Sequence, residues 1–249
     1  MNRRGGAPLA CAGVQSQLPS RVSPPLLFAH RGSTTKSIEN ITDSLLSALR
    51  SGASGLACAA SLTTTGEVLL GDAGQAAGRG IRRSIMSTRR AQVPPQVLSL
   101  AEVYEVCGTD FDLSLDSTDG ATGPEVIAAA REAGAEDRLW LHHQDVEVLS
   151  SWRELSGQVH LVHATQLRRL DQGPERHTAQ LSSARIDALE LHHSEWSGGL
   201  TTLVHRFDLC AFTWDAQFER VVERAVLLGM DAVAGNDVDV MVGVVRRLG

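Results

Sequence analysis

The chain is notable first for what it has little of. It has no long basic run, and its net charge is -6, so there is no electrostatic footprint for nucleic acid or for an anionic membrane surface. Lysine occurs once, at Lys36; arginine supplies the other basic residues, which reads as genome composition. Four cysteines (Cys11, Cys58, Cys107 and Cys210) are scattered without a CxxC pair, which excludes a zinc-knuckle spacing and fits a reducing, cytoplasmic setting. No window approaches the roughly 18 apolar residues of a membrane helix. The apolar stretch Leu9 to Ala12 is too short for a secretory signal core, so residues 1–25, rich in Gly, Ala, Ser and Pro, read as a flexible leader. There is no GxGxxG loop and no internal repeat.

What is present suits one large domain over residues 26–249. Hydrophobic residues make up 43% of the chain and charged residues 21%, enough for a sizeable core. Short β-rich runs alternate with amphipathic stretches. Strands are expected at Leu26 to His30, Gly55 to Ser61, Phe111 to Leu115, Arg138 to His142, Val159 to His163, Ala188 to His192, Leu209 to Trp214 and Ala232 to Gly235. Helices are expected at Ile38 to Arg50, Leu100 to Val106, Pro124 to Ala133, Val146 to Leu155, Glu175 to Ser183, Leu200 to Arg206, Phe218 to Leu228 and Val238 to Leu248. Ser99 and Glu102 have capping-box spacing, and Gly52, Gly134 and Gly229 stand where helices should stop. Eight strand and helix units of this kind close economically into a (β/α)8 barrel, with an open doubly wound sheet as the alternative. The segment Leu62 to Pro95 is irregular, and Thr63 to Gly66 followed by Glu67 to Leu70 suggests an inserted hairpin.

In such a barrel the C-terminal ends of the strands carry the chemistry. His30 and Arg31 end the first strand, a pairing that suits a phosphodiester: guanidinium on phosphate oxygens, imidazole moving a proton near neutral pH. A packing role, with Arg31 paired to Asp116, Asp72 or Glu39, is the alternative. The run from Phe28 to Asp72, with Ala29-His30-Arg31-Gly32, Glu39-Asn40, Gly52-Ala53, Leu62-Thr63, Gly66 and Asp72 in register, resembles the glycerophosphodiester phosphodiesterase family. Leu98 to Glu105 and the tail from Phe212 to Asp239, which includes Trp214, are similar to later segments of that family, so the resemblance covers nearly everything from Leu26 onward. It implies a TIM barrel of the phospholipase-C-like (PLC-like) phosphodiesterase type. The implied activity is metal-dependent cleavage of glycerophosphodiesters to glycerol 3-phosphate and an alcohol, in lipid metabolism. His30 and Arg31 match the family's first histidine and phosphate-binding arginine, and Arg31, Glu39 and Trp214 are the expected ligand-binding positions.

The remaining carried-over positions depart from the pattern. Ala57 and Ala59 stand where the family has its Glu-x-Asp pair, Ser114 where it has a third carboxylate, and Gly71 where it has its second histidine. Calcium and magnesium need oxygen ligands, mostly carboxylates, so neither ion is expected at these positions and no other cofactor is indicated. Three functional readings follow: a catalytically impaired homologue (a pseudoenzyme) that binds a small phosphorylated ligand or a protein partner, a divergent active phosphodiesterase with a rebuilt metal site, and a non-catalytic interaction scaffold. A rebuilt site would draw on imidazoles at the ends of strands four to six, His142, His163 and His192, completed by Asp145, Glu190 or Glu195. Only one member of each of the pairs His142-His143 and His192-His193 can face inward. No serine triad is visible in the sequence: Ser114 has no evident base or orienting group near it.

Overall fold

A computed structural model describes residues 17–30, 41–71, 90, 93, 97–117 and 119–248. Nine strands are present among them: β1 Leu26–His30, β2 Gly55–Leu62, β3 Val68–Leu70, β4 Asp112–Ser117, β5 Leu139–His143, β6 His160–Ala164, β7 Ala188–His192, β8 Cys210–Trp214 and β9 Ala232–Gly235. All except β3 run parallel to their neighbours, and β1 pairs with both β2 and β9, so eight strands close on themselves. The fold is the (β/α)8 barrel expected from the alternation of elements, and an open doubly wound sheet is excluded by the β1–β2 pairing. Strand β3 lies antiparallel on β2, with Leu62 opposite Val68, which places the inserted hairpin where the Thr63 to Gly66 turn signals it.

Among the described residues, eight helices surround the strands: α1 Ile41–Arg50, α2 Leu100–Cys107, α3 Thr122–Ala133, α4 Val146–Arg153, α5 Pro174–Ser183, α6 Gly198–Arg206, α7 Glu219–Leu227 and α8 Val238–Leu248. The capping box of α2 forms, with the Glu102 amide donating to Ser99 Oγ at 3.2 Å and the Ser99 amide donating to the Glu102 carboxylate at 2.7 Å. Helix α3 begins two residues before Pro124, because the Asp119 carboxylate accepts the Thr122 amide at 2.8 Å and the Ala121 amide at 3.0 Å. It ends at Gly134, whose φ of 70° is the left-handed cap that glycine adopts without a Cβ clash.

Two apolar layers result. The outward faces of the strands pack against the helices through residues such as Leu56, Leu113, Leu141, Leu161, Leu189 and Val233. The inward faces form a separate cluster of Phe28, Ala57, Trp140, Val162, Ala188, Phe212 and Ala232. Phe212 sits at its centre, 4.7 Å from the Trp140 ring and 6.0 Å from Phe28, and fills the barrel as side chains fill small barrels generally. Cys58 and Cys210 are reduced, and burial pushes both thiols up to about 12, so they behave as small apolar groups.

The end of the barrel opposite the C-terminal strand ends is tied by one carboxylate. Asp231, fully buried just before β9, accepts hydrogen bonds from Ser20 Oγ and from the amides of Arg21 and Val22 on one oxygen. The other oxygen takes His205 Nε2 and the Ala211 amide. The segment Ser20 to Val22, within the stretch read as a leader, is thereby held against β8 and β9; residues 1–16 of that stretch lie outside the described residues. Among the described residues, no helix is long and apolar enough to cross a membrane.

Candidate active site

The site is built from the strand ends. Parallel register sets Ala57 beside Ser114 and Ala59 beside Asp116, and it sets Asp116 beside His142. Ala57 belongs to the inward cluster, and alternation along each strand then turns Ala59, Ser114, Asp116 and His142 into the barrel. His30 lies opposite Ala57 on the other side, so His30, Ala57 and Ser114 occupy one layer across three adjacent strands. Arg31, Glu39 and Asp72 lie outside the described residues.

The three carried-over metal positions therefore come together, but without a metal-binding chemistry. Alanine offers no oxygen at 57 or 59. The Ser114 hydroxyl is engaged by His142 Nε2 at 2.8 Å, and His142 Nδ1 in turn meets Glu190 Oε2 at 3.1 Å. Gly71, at the carried-over second histidine, has φ of 128°, a backbone conformation that an L side chain rarely adopts, and its amide donates to the Ala59 carbonyl at 2.9 Å. The three positions 57, 59 and 114 offer calcium or magnesium no carboxylate oxygen.

The imidazoles expected to form one rim cluster are separated. His142 faces the barrel interior, whereas His163 faces the helix layer, where Nε2 donates to the Gln144 carbonyl at 3.0 Å and Nδ1 lies 3.1 Å from His177 Nε2. His143 also turns outward, its ring edge-on to Trp152. The reason is alternation: Val162, not His163, is the β6 residue in the inward cluster. His192 stands at the end of β7, edge-on to Trp214, which is 44% exposed at the end of β8. Among the described residues only His192, His193 and Asp215 bring three metal-competent atoms close, all within 4.8 Å of one another. Asp145 caps α4 through the Glu147 amide, and Glu195 accepts the Leu167 amide, so of the three carboxylates named as completing ligands only Glu190 reaches an inward histidine.

Charge in the mouth is coupled. Burial pushes the Asp116 carboxyl upward, and Glu190 adds to this while His142, His143 and His30 oppose it. Burial pushes His142 downward, but the Glu190 carboxylate at its Nδ1 and the nearby Asp116 outweigh it, leaving the imidazole above its ordinary value. Glu190 and Asp116 carry no motif in the sequence; their role is set by strands that are distant along the chain.

Comparison with solved structures places this architecture. A structure from Silicibacter pomeroyi, assigned as a glycerophosphoryl diester phosphodiesterase, superposes with a TM-score of 0.78 at 17% identity, covering 94% of this chain and 96% of that one. The fold is that of the glycerophosphodiester phosphodiesterases. The Thermotoga maritima glycerophosphodiester phosphodiesterase gives a TM-score of 0.75 at 16% identity over 88% of this chain and 97% of its own. An Oleispira antarctica phosphodiesterase, solved with its product sn-glycerol-3-phosphate, gives 0.72 at 19% identity over 89% and 97%. No family sequence model matches the chain, and no curated protein does.

Proposed function

We propose that this chain is a glycerophosphodiester phosphodiesterase-fold protein that lacks the metal-dependent reaction of that fold and binds a phosphorylated ligand at the barrel mouth. One observation carries the reading: Ala57, Ala59 and Ser114 stand side by side on β2 and β4 at the positions where the resemblance calls for metal ligands, and the one oxygen among them is held by His142. A bound metal in this chemistry polarises the phosphoryl oxygen and activates the nucleophile, worth several kcal/mol of transition-state stabilisation. A mouth without carboxylates at these positions forfeits that contribution. His30 at the end of β1 and the Arg31 that follows it in sequence support a retained phosphate grip. The Oleispira antarctica structure, with glycerol 3-phosphate bound, makes that phosphomonoester the probe of choice.

The test is calorimetric titration of glycerol 3-phosphate into the wild-type protein and Arg31→Ala, together with hydrolysis of glycerophosphocholine by metal-stripped protein with calcium, magnesium, manganese or zinc restored. Binding lost in Arg31→Ala, with no turnover under any metal, is the expected result. Metal-dependent turnover lost in His30→Ala would overturn the reading. It would favour the second one, a divergent phosphodiesterase with a relocated metal, for which the convergence of His192, His193 and Asp215 is the supporting observation, since imidazoles with a carboxylate suit zinc.

A further inference from the structure

Ser114, His142 and Glu190 form a continuous relay inside the barrel. The Ser114 hydroxyl lies 2.8 Å from His142 Nε2, and His142 Nδ1 lies 3.1 Å from Glu190 Oε2. A carboxylate can only accept, so in the neutral imidazole Glu190 fixes the proton on Nδ1 and leaves Nε2 as the acceptor for the serine. Each member comes from a different strand, β4, β5 and β7, and rigid strands hold the imidazole more closely than loops would. Ser114 is 7% exposed and His142 3% exposed, so water is largely excluded from the bond between them.

We infer that this relay is a nucleophile, base and orienting group, with Ser114 as the catalytic nucleophile of a carboxylic ester hydrolase. The inference goes beyond the phosphate-binding reading and does not depend on it. The arrangement has the order of roles that activates a hydroxyl: a weak nucleophile, a base within hydrogen-bond reach, and a third group that orients the base. The surroundings select the substrate class. Glu190 at His142 Nδ1 and Asp116 in register with His142 set carboxyl groups around the base, which suits an uncharged substrate at the serine itself, whereas the proposed phosphate grip lies with His30 and Arg31 at the end of β1. Phe28, Trp140 and Phe212 form an apolar floor. The methyl groups of Ala57 and Ala59 leave the neighbouring strand slim where carboxylate side chains would otherwise crowd the serine. A neutral ester with a small apolar acyl group fits those surroundings.

The step balances without any further reagent. Ser114 Oγ bonds to the carbonyl carbon as its proton passes to His142 Nε2. The carbonyl re-forms, the bond to the alcohol breaks, and the departing oxygen takes that proton from Nε2. Water then adds to the acyl-serine with His142 again accepting a proton, the Oγ–carbonyl bond breaks, and Ser114 regains its hydrogen as the carboxylic acid leaves. Glu190 is a positioning residue throughout, opposite the imidazolium.

The experiment incubates the full chain with a neutral fluorophosphonate, locates the adduct by mass spectrometry, and follows p-nitrophenyl butyrate hydrolysis in parallel. A single adduct on Ser114 is expected, absent in Ser114→Ala. Labelling should fall about 10²-fold or more in His142→Gln, the scale of losing a positioned base. Glu190→Gln should slow labelling, and Glu190→Asp should restore part of the rate, which loss of packing alone would not do. Circular dichroism and thermal melting establish that each variant is folded. No adduct on folded wild-type protein, or an adduct that persists in Ser114→Ala, overturns the inference. Because the probe is uncharged and needs no metal, these outcomes are independent of glycerol 3-phosphate binding.

Discussion

Replacing Asp231 with alanine should be among the most damaging single changes available in this chain. The side chain is fully buried and its two oxygens accept five hydrogen bonds, from Ser20 Oγ at 2.7 Å, Arg21 N at 2.6 Å, Val22 N at 3.2 Å, His205 Nε2 at 2.8 Å and Ala211 N at 2.7 Å. Truncation leaves these donors facing an apolar void, and Ala211 N has no route to solvent. Removing one partner of a buried charged network typically costs about 3–5 kcal/mol, a large share of the roughly 5–15 kcal/mol that stabilises a domain. At about 2–4 °C per kcal/mol for a chain of this size, the melting temperature should fall by about 6–20 °C. Burial by itself raises the Asp231 carboxyl, and the hydrogen bonds from His205, Ala211 and Ser20 more than offset it, so the group lies below its ordinary value of 3.8. A carboxyl depressed in the folded state contributes stability above its unfolded value, and that contribution is lost as pH falls through the folded value. The penalty of Asp231→Ala should therefore be full at pH 7 and shrink in strong acid. Urea unfolding at several pH values, with amide exchange at Arg21, Val22 and Ala211, measures both. A loss below about 1 kcal/mol at pH 7, with unchanged exchange, would refute the reasoning.

Three further outcomes are expected. Gly123→Ala places a Cβ 2.1 Å from Trp152 Cε2, an overlap with a fully buried indole, so thermal melting should show a loss of about 1–3 kcal/mol; an unchanged melting temperature would mean that α3 and α4 are less closely packed. Burial, reinforced by His177, pushes His163 down to about 4 from an ordinary value of 6.5, so unfolding takes up a proton between those values and stability should be full above pH 6.5 and decline as pH falls toward 4. His163→Asn should flatten that slope in urea titrations, and an unaltered slope would remove His163 as its source. Ala57→Glu puts a carboxylate into the layer of Phe28, Trp140 and Phe212 and should cost more than about 2 kcal/mol in urea unfolding; a variant as stable as wild type would mean that this layer is wet.

The barrel was legible in the sequence because parallel strands covered on both faces leave near-continuous apolar runs, as in Leu26 to Ala29 and Leu139 to Leu141, and because caps such as Ser99 with Glu102 are local. Ala57, Ala59 and Ser114 were singled out by resemblance to the family's motif and not by local chemistry; strand pairing then sets Ala57 beside Ser114 and Ala59 beside Asp116. The facing of the histidines was another matter. A one-residue difference in register exchanges inward for outward, and only the pairing of β6 with its neighbours settles that Val162 rather than His163 enters the barrel. The relay was hidden for a related reason: 28 residues separate Ser114 from His142 and 48 separate His142 from Glu190, so no motif joins them. Asp215 was missed beside His192 because it lies just past the end of β8, at φ of 62°, and is brought there by β7–β8 pairing. The strand alternation that sets Glu190 and His192 on one face was the available signal for the first of these.

The most direct test of the central claim is calorimetric titration of calcium and of magnesium into chelator-treated, folded protein. The account predicts no saturable binding of either ion at the barrel mouth, because Ala57 and Ala59 supply no oxygen and Ser114 is committed to His142. Stoichiometric uptake of calcium or magnesium, abolished by substitution of Asp116 or Glu190, would contradict it.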